Sequence, residues 1–236
     1  MIRVEPSERW VRAEIGGVTV ADTRRPLLVW DGGSYPSTYA VPAADVSAEI
    51  VAAHARDDRE VLDLRVGDRV CAAAAWRADD VDALAGAIVL DWDAVDRWRE
   101  EDEVIFRHPR DPHHRVDALP SSRHVRVSVD GVVVADTTRP VLVFETGMPM
   151  RAYIPPEDVR LDLLEPSATR TACPYKGEAA YRSVRVGETL HADLVWVYDD
   201  PVPEAAALRG LLAFYDEKVD VEVDGEPRER PVTPWS

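Results

Sequence analysis

The segment TACPYKGEAAY, residues 171 to 181, holds the densest set of reactive side chains in the chain. Cys173 stands three residues before Lys176, and Gly177 follows at once. A neighbouring ammonium favours a thiolate, so this spacing predicts a lowered Cys173 pKa and a nucleophilic sulfur. Lys176 offers two further chemistries, an electrostatic anchor for an anionic ligand and a Schiff-base amine. Gly177 would let a backbone approach closely, and Pro174 would stiffen the turn. If the chain is an enzyme, Cys173 and Lys176 are its catalytic candidates. The competing expectation is a buried structural thiol beside a solvated lysine. Lysine is scarce: Lys176 and Lys218 are the two in the chain, and every other Lys/Arg position is Arg.

Aromatic side chains with polar tips crowd the same half: Tyr153, Tyr175, Tyr181, Trp196, Tyr198 and Tyr215. Such residues line ligand pockets, and they serve equally well as strand packing with a hydrogen-bonded edge. Glu145 follows the aliphatic run from Val141 to Phe144, where a carboxylate can act as a general base or hold a ligand amine. The ligand-binding candidates are therefore Glu145, Tyr153, Tyr175, Gly177, Tyr181, Trp196 and Tyr198. The run HPRDPHHRVD at 108 to 117 invites a metal reading, through His113, His114, Asp111 and Asp117. Adjacent His side chains diverge, however, and no HxH or HExxH spacing occurs. The run reads better as an inter-domain junction, with Arg110, Asp111, Arg115 and Asp117 in salt bridges. No metal and no other cofactor is expected.

Two copies of one element plan must position these groups. PSERWVRAEIGGVTVADTRRPLLVW, from Pro6 to Trp30, aligns without a gap on PSSRHVRVSVDGVVVADTTRPVLVF, from Pro120 to Phe144. Continued, the alignment sets Tyr39 against Tyr153, Asp31 against Glu145, Asp45-Val46 against Asp158-Val159, and Trp76 against Trp196. Between the Asp45-Val46 match and the Trp76 match lies an insertion in the second copy that holds most of the Cys173 segment. Two tandem homologous domains follow, about 1–114 and 115–236. Val125, Val127 and Val129 alternate with polar residues, and Asp130-Gly131 then leads into Val132-Val133-Val134, a hairpin with a primed turn. Gly16-Gly17 supplies the same turn in the first copy. Helix is expected only in short pieces, from Pro203 to Leu208 and weakly from Ala43 to His54. The fold class is mainly β with minor α: two small antiparallel β-domains, each with one or two short helices. Residues shared by both copies, such as Asp22 with Asp136 and Arg25 with Arg139, point to architecture. Tyrosines that the first copy lacks, Tyr175, Tyr181 and Tyr198, point to a site.

The strings VADTTRPVLVFETGMPMRAYIPPEDV, TRTACPYKGEAAYRSVRVG and LVWVYDDPVPEAAALRGLLAFY resemble the bacterial family named domain of unknown function 427, which carries a nucleotidyltransferase-type label. The resemblance covers nearly all of the second copy; the first is a degenerate member without CPYKG. It implies a small, mainly β fold and no secure activity. Nucleotidyltransferases hold Mg²⁺ with paired carboxylates beside a phosphate-cradling Gly-rich segment, and neither pattern occurs here.

Composition bounds the partners. Of 236 residues, 44 are acidic and 28 are Lys or Arg, a formal charge of −16. Such a chain repels nucleic-acid phosphates and anionic membranes. No apolar run approaches the ~18 residues of a membrane span, and MIRVEPSERW lacks a signal-peptide core. A cytoplasmic location is expected, as is a monomer with an intramolecular repeat–repeat interface. Three functional classes remain: a small-molecule-binding domain, an enzyme using Cys173 or Lys176 in transferase-type or nucleophilic chemistry, and an acidic protein-interaction scaffold.

Overall fold

A computed structural model describes residues 2–33, 35–56, 59–79, 81–233 and 236. The chain divides into two compact units, Met1–Asp111 and Pro112–Ser236. Each is a pair of antiparallel sheets, one of seven strands and one of four. In the second unit the large sheet runs, edge to edge, Val116–Pro120, Val141–Glu145, Arg151–Ile154, Leu212–Phe214, Thr189–Val197, Gly177–Val186 and Leu164–Cys173. The small sheet runs Val132–Thr137, Val125–Val129, Asp220–Val223 and Glu226–Pro227. The first unit repeats both orders, from Ile2–Pro6 to Glu49–Arg56 and from Val18–Thr23 to Glu103–Ile105.

Alternation explains the pairing of layers. Val125, Val127 and Val129 turn their side chains inward and meet Leu142, Ile154, Val195 and Phe214 of the large sheet, all buried. Val11, Ala13 and Ile15 do the same in the first unit, against Leu28, Val41, Leu62 and Leu90. Asp130 and Gly131 sit at φ 49° and 76°, the two positive values that a type I′ turn demands, as do Gly16 and Gly17 at 61° and 77°. The shared Thr, not the shared Asp, caps the next turn. Thr137 Oγ1 accepts from Arg139 N at 3.1 Å and donates to Asp158 at 2.7 Å, and Thr23 treats Arg25 and Asp45 alike. Arg139 pairs with Asp158, while Asp136 takes His124 and Arg126.

Two readings of the elements are corrected. The helix expected over Ala43 to His54 is a single 3-10 turn, Ala43–Asp45, followed by strand Glu49–Arg56. Val46 bridges Ala21 in the small sheet, and that tie ends the turn early. The short helix expected from Pro203 to Leu208 is present at those bounds, as 3-10 turns kinked at Ala205. The Cys173 segment is also no free insertion. It lies on a hairpin, Leu164–Cys173 with Gly177–Val186, whose counterpart in the first unit is Glu49–Arg56 with Arg59–Val66. The second unit lengthens an existing hairpin.

A third correction concerns register. Tyr39 pairs with Leu28, whereas the residue opposite the equivalent Leu142 is Ala152. Tyr153 instead matches Ala40, since the two pair with Ala213 and Val89 at corresponding places. The first unit carries one more residue between Asp31 and Thr38 than the second does between Glu145 and Arg151. A slip of one residue moves a side chain to the other face of a sheet. Tyr39 therefore lies in the inner core and donates to Glu100 at 2.7 Å, while Tyr153 lies on the outer face of its sheet.

Candidate functional site

The outer face of the second unit's large sheet is where the sequence-predicted residues gather. Tyr153, Tyr181 and Tyr198 share one buried cluster with Val143, Ala179 and Leu208, and Trp196 and Tyr215 pack against it. Ring contacts join Tyr153 to Trp196 and Tyr198, and Tyr215 to Trp196 and Tyr181, with centroids 4.8 to 6.4 Å apart. The polar tips are tied together. Trp196 Nε1 donates to Tyr153 Oη at 3.1 Å, and the Tyr181 hydroxyl lies 2.9 Å from Thr171 Oγ1 and 3.2 Å from the Tyr215 hydroxyl. The matching cluster of the first unit is aliphatic: Val29, Ala40, Ala78, Leu84, Ala87 and Val89.

The charged part of the site stands where strand Val141–Glu145 ends. Lys176 Nζ donates to Glu145 Oε2, and His114 Nε2 lies 3.0 Å from Glu145 Oε1. Tyr175 covers the imidazole, ring on ring at 4.1 Å and 20°. The Lys176 side chain is 10% exposed and that of Glu145 16%, so the pair is largely withdrawn from water. Burial acts to raise the Glu145 pKa, but the bond to His114 and the charge and bond of Lys176 outweigh it and hold the carboxyl below 4.5. A carboxyl depressed in the folded state adds stability above its unfolded pKa and loses it as pH falls through the folded value. Glu145→Gln should thus flatten the stability-against-pH curve below about pH 4.5 relative to wild type. Denaturant melts at stepped pH check this, and parallel curves would show that the carboxylate is not held by the pair.

Cys173 departs from expectation. Its thiol pKa is raised, because burial outweighs the attraction of Lys176 and the backbone N–H groups of Tyr175 and Lys176, and Glu145 adds to the rise. The ammonium that was to activate the sulfur is already neutralised by Glu145. Gly177 sits at φ 109°, and a Cβ there would meet Asp200 O and Pro201 Cα at 3.3 Å. The close approach its lack of a side chain permits is thus made by the chain's own Asp200–Val202 segment, and Val202 N bonds to Lys176 O at 3.1 Å. That tie fixes the loop holding Lys176.

His114, part of the run read as a junction, reaches Glu145 and so belongs to the site. Arg110 pairs with Glu103 and Asp111 accepts from Trp30 Nε1, both inside the first unit, while Arg115 pairs with Asp117 inside the second. The sequence signal that could have found His114 is its distance along the chain from strand Val116–Pro120, which pairs residue by residue with Val141–Glu145: Val116 lies opposite Glu145, so His114 stands just beyond the carboxylate. In the first unit Asp31 takes the place of Glu145 and pairs with Arg59 at 3.0 Å, with side chains 36% and 24% exposed. A hollow of about 20 Å³ lies apart from Lys176, lined by Pro149, Met150, Asp216, Val221, Arg228, Glu229 and Pro231. Among the described residues, no group of three or more His, Cys, Asp or Glu is placed to hold a metal ion, and no helix is long and apolar enough to cross a membrane.

Compared with known families, residues 3–101 and 117–225 each match the model of one described as a domain of unknown function, DUF427. No curated protein matches the chain.

Proposed function

Because this chain belongs to the DUF427 family twice over, once in each unit, and that membership assigns no chemistry, we propose on physical grounds that the second unit binds a small molecule at Glu145, Lys176 and His114. Tyr153, Tyr175, Tyr181, Trp196 and Tyr198 shape the aromatic surround. The first unit serves as scaffold, and the two units make a monomer.

One observation carries this reading. Both units build the same pair of sheets, yet only the second withdraws a lysine–carboxylate pair from water and backs it with tyrosines. Taking two charges out of water costs several kcal/mol per ion, and well-packed apolar side chains would serve stability as well or better. Ala40, Ala78 and a less deeply buried Asp31–Arg59 pair serve the first unit at the matching places. The fold therefore does not require what the second unit keeps, and a ligand supplies the reason to keep it. The enzyme reading through a thiolate is not favoured, since the Cys173 thiol is held protonated by burial.

The test is a thermal-shift panel of small carboxylates, phosphates, amines and carbonyl compounds on wild type, Lys176→Met and Arg59→Met. A ligand at a hundred times its Kd stabilises by about 2.7 kcal/mol, a shift of several degrees for a unit of this size. One class should raise the melting temperature of wild type and Arg59→Met and leave Lys176→Met unmoved. Shifts equal in all three proteins, or none in wild type, overturn the proposal.

A further inference from the structure

We propose that Lys176 is a covalent acceptor for small aldehydes or ketones, which it holds as a protonated imine with Glu145 as counter-ion. The inference rests on the binding reading above and names its ligand class. Lys176 is 8% exposed as a residue, on a loop pinned by Val202 and Gly177, and its ammonium is matched to one carboxylate. A solvent-shielded amine beside an acid–base pair is the arrangement that carbinolamine chemistry needs. Glu145 has its second oxygen on His114 Nε2 at 3.0 Å, so the carboxylate stays oriented while its other oxygen exchanges a proton with Lys176.

The balance closes without any outside reagent. Lys176 gives one proton to Glu145, and its freed lone pair forms a C–N bond as the carbonyl π bond breaks. The oxygen of the carbinolamine leaves as water, and both of that water's hydrogens come from the original ammonium, one of them by way of Glu145. The product is an iminium cation opposite an ionised Glu145, so the charge pair that the site already buries is kept and no proton is released. Nothing is oxidised or reduced. The hydroxyls of Tyr153 and Tyr198 lie on the same buried face, and Glu145 and Cys173 bear electrostatically on both.

Lys218 makes the experiment internally controlled. It is exposed and lies over the Tyr215 ring at 5.2 Å. Wild-type protein is treated with acetaldehyde and cyanoborohydride at neutral pH, digested, and N-ethylation followed by mass spectrometry at both lysines. Burial and ion pairing alone make Lys176 the slower of the two. The proposal requires Lys176 to be modified about ten-fold faster than Lys218, and Glu145→Gln to reverse the order while Lys218 keeps its own rate. Lys218 modified as fast as Lys176 or faster in wild type overturns it. Failure of the covalent step is separable from failure of the binding reading: in the first case the thermal-shift panel still discriminates Lys176→Met from wild type, and in the second it does not.

Discussion

Glu217→Ala should destabilise the second unit by about 3–5 kcal/mol, the usual cost of removing one partner of a buried ion pair. The Glu217 side chain is fully buried and accepts two bonds from Arg151, at 2.8 and 3.1 Å, and one from Thr233 at 2.8 Å. Arg151 is itself 9% exposed, bonds to Phe214 O, and lies 5.4 Å from the Trp196 ring. Truncating Glu217 leaves that guanidinium with Asp216 alone, 3.3 Å away. Asp216 is a poor substitute. Burial lifts its pKa and the attraction of Arg151 offsets this only in part, whereas the bonds to Glu217 outweigh its burial and hold it low. Asp216→Asn should therefore cost far less than Glu217→Ala. Replacing Arg151 and Glu217 together by Met and Leu should restore much of the loss, because no unpaired charge stays behind. Urea melts with Arg209→Ala as the surface control, which removes an exposed pair with Asp200 worth about 0–1 kcal/mol, check the series. A Glu217→Ala loss under 1 kcal/mol would show that the network carries no stability.

Tyr153→Ala is the second large expectation, also about 3–5 kcal/mol. The ring is 1% exposed and touches Trp196 and Tyr198. Tyr153→Phe removes only the acceptor of Trp196 Nε1 and should cost about 1 kcal/mol. In Tyr153→Ala the Trp196 ring loses its neighbour, and its fluorescence should move to longer wavelength; in Tyr153→Phe it should not. A Tyr153→Ala loss of 1 kcal/mol or less, with unchanged emission, would mean that the outer cluster is loosely packed.

The expected inward role of Val125, Val127 and Val129 holds in the fold, and so do the Asp130-Gly131 turn and the doubling of the chain. Each of these is local or self-referential: a two-residue period, a positive-φ turn, a chain compared with itself. Ala43 to His54 shows where local reading failed. Its apolar spacing was compatible with a helix, but bridging to the small sheet and pairing with Arg59–Val66 were available only in three dimensions, and those backbone bonds outweigh weak propensity.

For the site, the residue types were legible and their relations were not. Glu145, Tyr153, Lys176, Tyr181 and Tyr198 were all named from sequence, and the sheet brings them to one face. Their chemistry changed on assembly. The charge expected to lower the Cys173 pKa is taken up by Glu145, and His114, 31 residues from the nearest other member, joined through strand pairing. Sequence by itself determined the repeated β plan and the inventory of reactive groups, because both depend on identities and short spacings. Which sheet face each tyrosine took, and which partner each charge found, was decided by tertiary structure alone. One residue more or less in a loop reverses a face, and burial can overrule the charge of a near neighbour.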